Sequence, residues 1–521
     1  MPTPREIELK LEVPAQSLAR LGRSSVLNNG AKARKPATLV SVYFDTKKQK
    51  LRSKGLSLRV RRVGRRHVQT IKQDDENTAL FVRNEWENEI AGAQPDLDIA
   101  QHTALKPLIG KKLRRKLMPL FETRIRRTVY PIHNGESEIE LTIDRGKIEA
   151  GRRSSPLCEV ELELKRGEPA DLFQTARELA REVPVNLATS SKAQRGYSLV
   201  AGKRPEAIKA APVTLMPDST GEAAFRAIAR ACLRQLVANQ PVFLCGDAEG
   251  LHQMRVALRR LRAAISLFSD MLADRQTDDM KTQLRWIGGE LGPAREFDVF
   301  IERVLTPVSE DKPNGPGVAV LTKDFQQKRD DAFDRARSAV ESTRFRELMI
   351  DVSAWIETGD WTRNTDDRAC ALREGAIAAL AADELNRRWK SILKRGAHLK
   401  RLDAERRHKL RIQAKKLRYA SEFFAGAFPG KKTRERRRRF LSALEQLQDA
   451  LGDLNDIAVH EGLTEQIVDN KDVMGKRRRG RAKKAFAAGR VSGREEARVA
   501  SVLRDAQRAY RIVAGAKPYW H

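Results

Sequence analysis

Glu6-Ile7-Glu8-Leu9-Lys10 opens the chain with charges and aliphatics in alternation, and Glu159-Val160-Glu161-Leu162-Glu163-Leu164-Lys165 repeats the pattern far downstream. Successive side chains of a β-strand point to opposite faces, so each stretch carries one charged and one aliphatic face. Between them lie Leu56-Ser57-Leu58-Arg59-Val60-Arg61, Gln69-Thr70-Ile71-Lys72, Arg83-Asn84-Glu85-Trp86-Glu87, Arg124-Ile125-Arg126 and Glu140-Leu141-Thr142-Ile143-Asp144. All alternate with period two and read as further strands. With every charged face turned to water, they would make a plain antiparallel sheet. Closed into a barrel, they would line a lumen with carboxylates on one wall and guanidinium or ammonium groups on another. Such a lumen suits a polyanion carrying a divalent metal. Carboxylate oxygens hold Mg2+ or Mn2+, which also ligates substrate phosphates, while Arg forks and Lys point charges take the remaining phosphate oxygens.

This ordered set, over residues 1 to about 200, resembles the CYTH family, the triphosphate tunnel metalloenzymes. Glu6, Glu8 and Lys10 match the family's ExExK signature. Arg59, Arg61, Lys72, Arg124 and Arg126 match its basic tunnel positions, and Asp144, Glu161 and Glu163 match its later acidic strands. Arg126 and Arg127 are adjacent, and register decides which of the two faces inward. Ser191-Lys192-Ala193-Gln194-Arg195-Gly196-Tyr197 is similar to the family's closing motif, with Lys192 as its phosphate-binding lysine. The resemblance implies a catalytic set of Glu6, Glu8, Lys10, Arg59, Arg61, Lys72, Glu85, Arg124, Arg126 and Lys192. It also implies Mg2+ or Mn2+ held by Glu6, Glu8, Asp144, Glu161 and Glu163, and cleavage of inorganic triphosphate by in-line attack of water. Adenylate cyclases and thiamine-triphosphate hydrolases share the tunnel, so an organic triphosphate is the alternative substrate.

The chain has 521 residues, enough for two or three domains, and its 40% hydrophobic content is ordinary for a globular protein. Lys and Arg number 100 against 69 acidic residues, a formal net charge of +31. Such an excess predicts a polyanionic partner. Nucleic acid is the general candidate, but aromatic residues for base stacking are sparse and no nucleic-acid motif is recognisable, which argues against a specific one. Cys158, Cys232, Cys245 and Cys370 stand far apart without a CxxC pair. That fits neither a disulfide framework nor a structural zinc site and suits a reducing compartment. With no apolar leader and no apolar run of about 18 residues, the sequence predicts a soluble cytoplasmic protein without a membrane partner.

Residues 201–217, with Gly202, Pro205, Pro212 and Pro217, read as a linker between a first domain at 1–200 and a second at 218–513. Beyond the linker the hydrophobic period becomes helical. The expected fold is multidomain α+β: an N-terminal antiparallel β-barrel tunnel with flanking helices, then an all-α bundle duplicated over about 218–305 and 370–513. The duplication rests on His252-Gln253-Met254-Arg255-Val256-Ala257-Leu258-Arg259-Arg260-Leu261-Arg262, echoed by His408-Lys409-Leu410-Arg411-Ile412-Gln413-Ala414-Lys415-Lys416-Leu417-Arg418. Leu291-Gly292 is echoed in turn by Leu451-Gly452.

At about 100° per residue, His252, Arg255, Arg259 and Arg262 share one helical stripe, as do His408, Arg411, Lys415 and Arg418. Stacked cations repel, so an anion should compensate them; a solvated basic face is the bland alternative. Residues 218 to 513 resemble a CHAD domain, the conserved histidine α-helical domain, a helical bundle of two halves with a basic channel that binds inorganic polyphosphate. The resemblance makes those eight residues polyphosphate contacts and implies association with polyphosphate granules. A granule-targeting protein with little catalysis is the alternative function. Asp298, Asn455 and Asp456 are expected to brace the basic side chains rather than touch phosphate.

Overall fold

The computed structural model describes residues 5–28, 32–73, 82–202, 205–311, 318–469 and 478–520. The alternating segments become strands: β1 (Arg5–Glu12), β2 (Ala37–Thr46), β3 (Leu56–Val63), β4 (Arg66–Gln73), β5 (Val82–Ile90), β6 (Leu117–Asn134), β7 (Ser137–Ala150), β8 (Arg153–Arg166) and β9 (Asn186–Leu187). They pair as one antiparallel sheet in the order β5-β4-β3-β2-β6-β7-β8-β1-β9. The structure shows a long antiparallel sheet rather than the expected closed barrel, and β1 also meets β5 over a short stretch, Arg5↔Asn84, Glu6↔Arg83 and Ile7↔Val82.

Two cores cover the sheet. Leu56, Leu58, Val60 and Ile71 of β3 and β4 pack with Leu97, Ala100, Leu105 and Leu113. Leu39, Tyr43, Phe121, Ile125, Ile148 and Leu157 pack instead with Ala193 and Tyr197. Val42 joins the first core and its neighbour Tyr43 the second, so the cores lie on opposite faces of the pleat. The apolar face is therefore the outer one on β3 and β4, and their charges are left on the side that Tyr43 shares.

Five helices accompany the sheet in sequence: α1 (Leu18–Leu21), α2 (Ser25–Asn28), α3 (Lys111–Lys116), α4 (Pro169–Glu182) and α5 (Lys192–Ala201). Helix α5 is fixed residue by residue. Ser191 caps it by accepting from the Gln194 N–H at 3.1 Å, while the Gln194 side chain accepts from the Ser191 N–H at 2.9 Å, a capping box. Gly196 lies on the Phe121 ring, where a Cβ would come within 2.0 Å of ring carbon. Tyr197 donates its hydroxyl at 3.0 Å to fully buried Asp45, which also accepts from the backbone N–H groups of Leu51 and Arg52.

The remaining chain is helical: α6 (Gly221–Leu244), α7 (Ala248–Leu267), α8 (Arg275–Glu290), α9 (Gly292–Phe300), α10 (Thr306–Asp311), α11 (Val318–Glu341), α12 (Thr343–Thr358), α13 (Asp367–Glu374), α14 (Ile377–Gly396), α15 (Ala404–Phe423), α16 (Lys431–Asp469) and α17 (Arg478–Gly515). Two compact units result. The first comprises Met1–Ala210, Ala229–Ala257 and Val340–Thr362; the second comprises Ala211–Ile228, Leu258–Ala339 and Arg363–His521. Helix α12 thus belongs with the sheet, packing on α4 with Arg177 paired to Asp351. The two Leu-Gly echoes differ locally. Leu291-Gly292 divides α8 from α9 because Pro293 has no N–H to continue the ladder, whereas Leu451-Gly452 lies inside α16 with Asp453 in the proline's place. Among the described residues, no helix is long and apolar enough to cross a membrane.

The contact of Gly196 with Phe121 is open to test. A helical Gly→Ala change ordinarily stabilises. Here Gly196→Ala should instead destabilise the first unit by about 1–3 kcal/mol through overpacking, read from the urea midpoint.

Candidate functional site

The charged faces of β1 to β8 and the start of α5 line one cavity of about 670 Å³. Its basic side comes from Arg59 and Arg61 of β3 and Lys72 of β4, spaced by two so that the pleat aims all three inward. Lys72 lies opposite Glu85 of β5 in register and pairs with it. Arg59 reaches Glu85 at 3.4 Å and Glu87 at 3.6 Å. Arg61 differs: among the described residues no carboxylate lies within ion-pair distance, and its Nε has no hydrogen-bond partner. The neighbouring Arg59, then burial and Arg127, pull its pKa down to about 10.

The acidic side comes from β7 and β8. Asp144 pairs in register with Glu159, and Glu161 follows two residues on, so the three carboxylates fall within 4.8 Å of one another, all buried. Cations are set among them. The Lys192 ammonium donates at 2.8 Å to Glu161 and also to Glu159, and forms an ion pair with Asp144 at 2.8 Å. Arg127 forks onto Asp144 at 2.7 and 2.6 Å and reaches Glu161 at 2.7 Å. Lys10 reaches Glu161 at 2.7 Å and Glu8 at 3.2 Å. Burial alone would raise Glu161, but Lys10, Lys192 and Arg127 hold it well below the ordinary carboxylate value. Burial likewise opposes the lowering of Asp144, which Lys192 and Arg127 bring about. Burial dominates at Glu159 and pushes it up. The walls are therefore not cleanly segregated by sign as the strand pattern suggested: Lys10, Lys192 and Arg127 lie in the acidic wall, and Glu85 and Glu87 in the basic one.

In the second unit, Arg259 and Arg262 of α7 are exposed, and Arg411, Lys415 and Arg418 of α15 are half-buried. Arg411 meets Asp456 at 3.8 Å, with Gly452 leaving room beside it. Arg418 meets Glu422 at 3.4 Å and Glu445 at 3.6 Å. His408 bonds Asn455 through Nδ1. Burial first, then Arg411 and Arg259, pull the Lys415 ammonium down to about 7. Arg260 is buried against Phe423 and pairs at 2.6 Å with Glu422, the carboxylate it shares with Arg418. Asp298 braces a different cation, Arg329.

A family model for the CYTH domain matches residues 4–197, and one for the CHAD domain matches residues 227–465. The chain carries a CYTH domain followed by a CHAD domain. The inorganic triphosphatase of Haemophilus influenzae is 30% identical over 200 residues, covering 37% of this chain and 55% of that protein. The chain therefore spans about half the length of that curated relative. Among solved structures, the CHAD domain from the plant Ricinus communis is 28% identical, with a TM-score of 0.49, over 59% of this chain and 96% of that one. PptA from Streptomyces chartreusis is 17% identical, with a TM-score of 0.43, over 56% of this chain and 100% of that one.

Within the CYTH domain, Glu8, Lys10, Arg59, Arg61, Lys72, Glu85, Glu161, Glu163 and Lys192 line the cavity, and Asp144 joins the buried carboxylates. The Glu6 backbone is in β1, but its side chain lies outside the described residues. Arg124 and Arg126 are not on the cavity side. In β6 the pairing from Phe121 to Arg127 is uninterrupted, so alternation sets Phe121, Ile125 and Arg127 on one face and leaves Arg124 outside with Glu122 at 2.5 Å and Glu149 at 3.4 Å. Arg127 takes the inner position. Sequence reasoning also missed Glu159, although it belongs to the same alternating run as Glu161 and Glu163. In the CHAD domain, Arg259, Arg262, His408, Arg411, Lys415 and Arg418 belong to the second unit, while His252 and Arg255, on the first turns of α7, belong to the first.

Asp144 and Glu161 stabilise the fold above their unfolded pKa values of about 4, and that stability is lost as pH falls through their depressed folded values. Arg127→Gln should lower stability at pH 7 by about 3–5 kcal/mol, because it strands buried carboxylates. It should also make the loss on acidification shallower, as measured by urea midpoints between pH 3 and 7.

Proposed function

We propose that the CYTH cavity hydrolyses inorganic triphosphate with the help of a divalent cation, Mg2+ or Mn2+, and that the CHAD domain binds inorganic polyphosphate. The observation that carries the first part is Arg61, an inward guanidinium without a carboxylate at ion-pair distance among the described residues, where the attraction of Glu87 is outweighed by Arg59, burial and Arg127. A half-buried cation left unpaired among like charges is at its most stable with an anion between them. The Thr142 hydroxyl, buried on the cavity wall without a hydrogen-bond partner, is a second group awaiting an oxygen or a water. Tyr43 is the one aromatic residue among the described lining residues, and Leu164 and Ala193 are the aliphatic ones, so the wall offers phosphate far more than it offers a nucleobase.

Asp144, Glu159 and Glu161 suit Mg2+ or Mn2+, being hard oxygen donors clustered within 4.8 Å, and Glu8 and Glu163 on the same wall extend the set. A bound cation would neutralise non-bridging phosphate oxygens and make the attacking water more acidic. Arg59, Arg61 and Lys72 would hold the chain of phosphates in line and spread the charge of the leaving diphosphate. Asp144 and Glu161, held ionised by their neighbours, serve as ligands rather than as proton acceptors. The short β1–β5 seam supports a sheet that closes around the substrate as a tunnel.

Purified protein should release phosphate from triphosphate only with Mg2+ or Mn2+ and lose that activity in EDTA. ATP, thiamine triphosphate and long-chain polyphosphate should turn over more slowly. Arg61→Ala should cost roughly 10- to 100-fold in kcat/KM, the size of one charge-assisted hydrogen bond, and Arg61→Lys should recover part of it. EDTA-insensitive turnover, or equal turnover of ATP, would sink this reading.

For the CHAD domain, the Arg259, Arg411, Lys415 and Arg418 group favours polyphosphate, since burial first and like-charged neighbours second pull the Lys415 ammonium down to about 7, a loss an anion would reverse. Below about pH 7 the ammonium is charged and the group attracts a polyanion more strongly; above it the charge is lost. Polyphosphate affinity should fall roughly tenfold from pH 6 to 8.5, about one charge-assisted contact, and Lys415→Met should flatten that slope in calorimetric titrations.

A further inference from the structure

Helices favour anions at their first turn, yet α5 begins with a lysine. Lys192 is 6% exposed, and its ammonium donates hydrogen bonds to Glu159 and Glu161 and forms an ion pair with Asp144 at 2.8 Å, so it faces three different carboxylates. These are the oxygens that would ligate a divalent cation. Oxygen ligands of Mg2+ or Mn2+ sit about 2.0–2.2 Å from the ion, so a metal in this tripod would take nearly the position of the ammonium. Two cations cannot share it.

Charge balance points the same way. Glu8, Glu12, Asp144, Glu159 and Glu161 face Lys10, Arg127, Lys192 and Arg195, five carboxylates against four cations. Replacing Lys192 by a divalent ion makes that group neutral; adding the ion beside Lys192 leaves a buried excess of positive charge. The group therefore admits one or the other. The four-carbon stem of Lys192 also borders the cavity, so the displaced ammonium has somewhere to go.

Resting on the triphosphatase reading above, we propose that Lys192 is an internal counter-cation that keeps divalent metal out of the Asp144–Glu159–Glu161 tripod until an anion in the cavity draws its ammonium away. Metal and phosphate then enter together. In the phosphate-free protein, the tripod takes metal poorly.

The test is Mn2+ binding to the full-length protein in phosphate-free buffer, followed by electron paramagnetic resonance of free Mn2+ and by the shift in thermal midpoint. Lys192→Met should bind Mn2+ at least tenfold more tightly than the wild type. It should also be destabilised in EDTA and rescued by Mn2+, whereas the wild-type midpoint should hardly move. The double variant Lys192→Met with Glu159→Gln should lose the gain, which assigns it to the tripod. If Lys192→Met fails to fold in EDTA, recovery on refolding with Mn2+ supports the proposal, and no recovery overturns it. Wild-type affinity equal to that of Lys192→Met overturns it too. Phosphate release from triphosphate by the wild type is measured separately: its absence would remove the triphosphatase reading, while the Mn2+ comparison would still decide the role of Lys192.

Discussion

Three carboxylates out of water, facing one ammonium, are the constraint on which the first unit depends. Removing an ion from water costs several kcal/mol even after relaxation, and only close, saturated pairing offsets it. Asp144, Glu159 and Glu161 are at most 7% exposed, so Lys192, Lys10 and Arg127 must arrive within hydrogen-bond reach. Strand register delivers the acids, since β7 and β8 pair Asp144 with Glu159 directly. Helix α5 delivers the lysine. Its capping box, the seat of Gly196 on Phe121 and the bond from Tyr197 to Asp45 fix the helix at its start, its middle and the strand beneath it.

The other wall uses the opposite arrangement. Arg59 and Lys72 have Glu85 and Glu87 as partners, but Arg61 has none within ion-pair distance among the described residues. A protein that needed only stability would pair or remove such a group. The cavity thus holds compensated charge where a cation is expected and uncompensated charge where phosphate is expected, and the difference between the two separates scaffold from ligand site.

Much of this was legible in the sequence because period two is a local signal. Alternation puts Arg59, Arg61, Lys72, Glu161 and Glu163 on charged strand faces, and the family resemblance makes those faces the inner ones. In the closing motif the resemblance implies a role for Lys192 alone, and the tasks of Ser191, Gln194, Gly196 and Tyr197 show only in the structure. The errors arose where the outcome depends on distant partners. In β6 the charged pair Arg124 and Arg126 looked like the inner face because charge lines the cavity on β3. On β6, however, the inner face is shared with a core built on α5, so Phe121 and Ile125 face inward and Arg127 follows them. Glu159 stood in the opening run, yet its nearness to Asp144 is a matter of pairing across strands. Lys192 lines the cavity as the motif implies, but its contacts with Asp144, Glu159 and Glu161 are not legible in the sequence, because a helix N-terminus reveals nothing about the strands beneath it. On the helical stripes, spacing does not reveal that Arg260, outside the stripe of Arg259 and Arg262, is buried against Phe423 and shares Glu422 with Arg418.

The two basic regions show why net charge is a poor guide to a ligand while local imbalance is a good one. A formal charge of +31 predicts some polyanion and nothing more specific. Most of that charge is on exposed side chains, where ions and water screen it. Lys415 is different, since burial among Arg411, Arg259 and Arg418 makes its charged state unfavourable unless an anion is near. Asp456 offsets Arg411 only at 3.8 Å. A bound anion would relieve that repulsion and restore the charge of the lysine, a reserve of favourable interaction within the cluster. A flexible exposed lysine run of equal charge carries no such reserve, and this separates a built anion site from a merely basic surface.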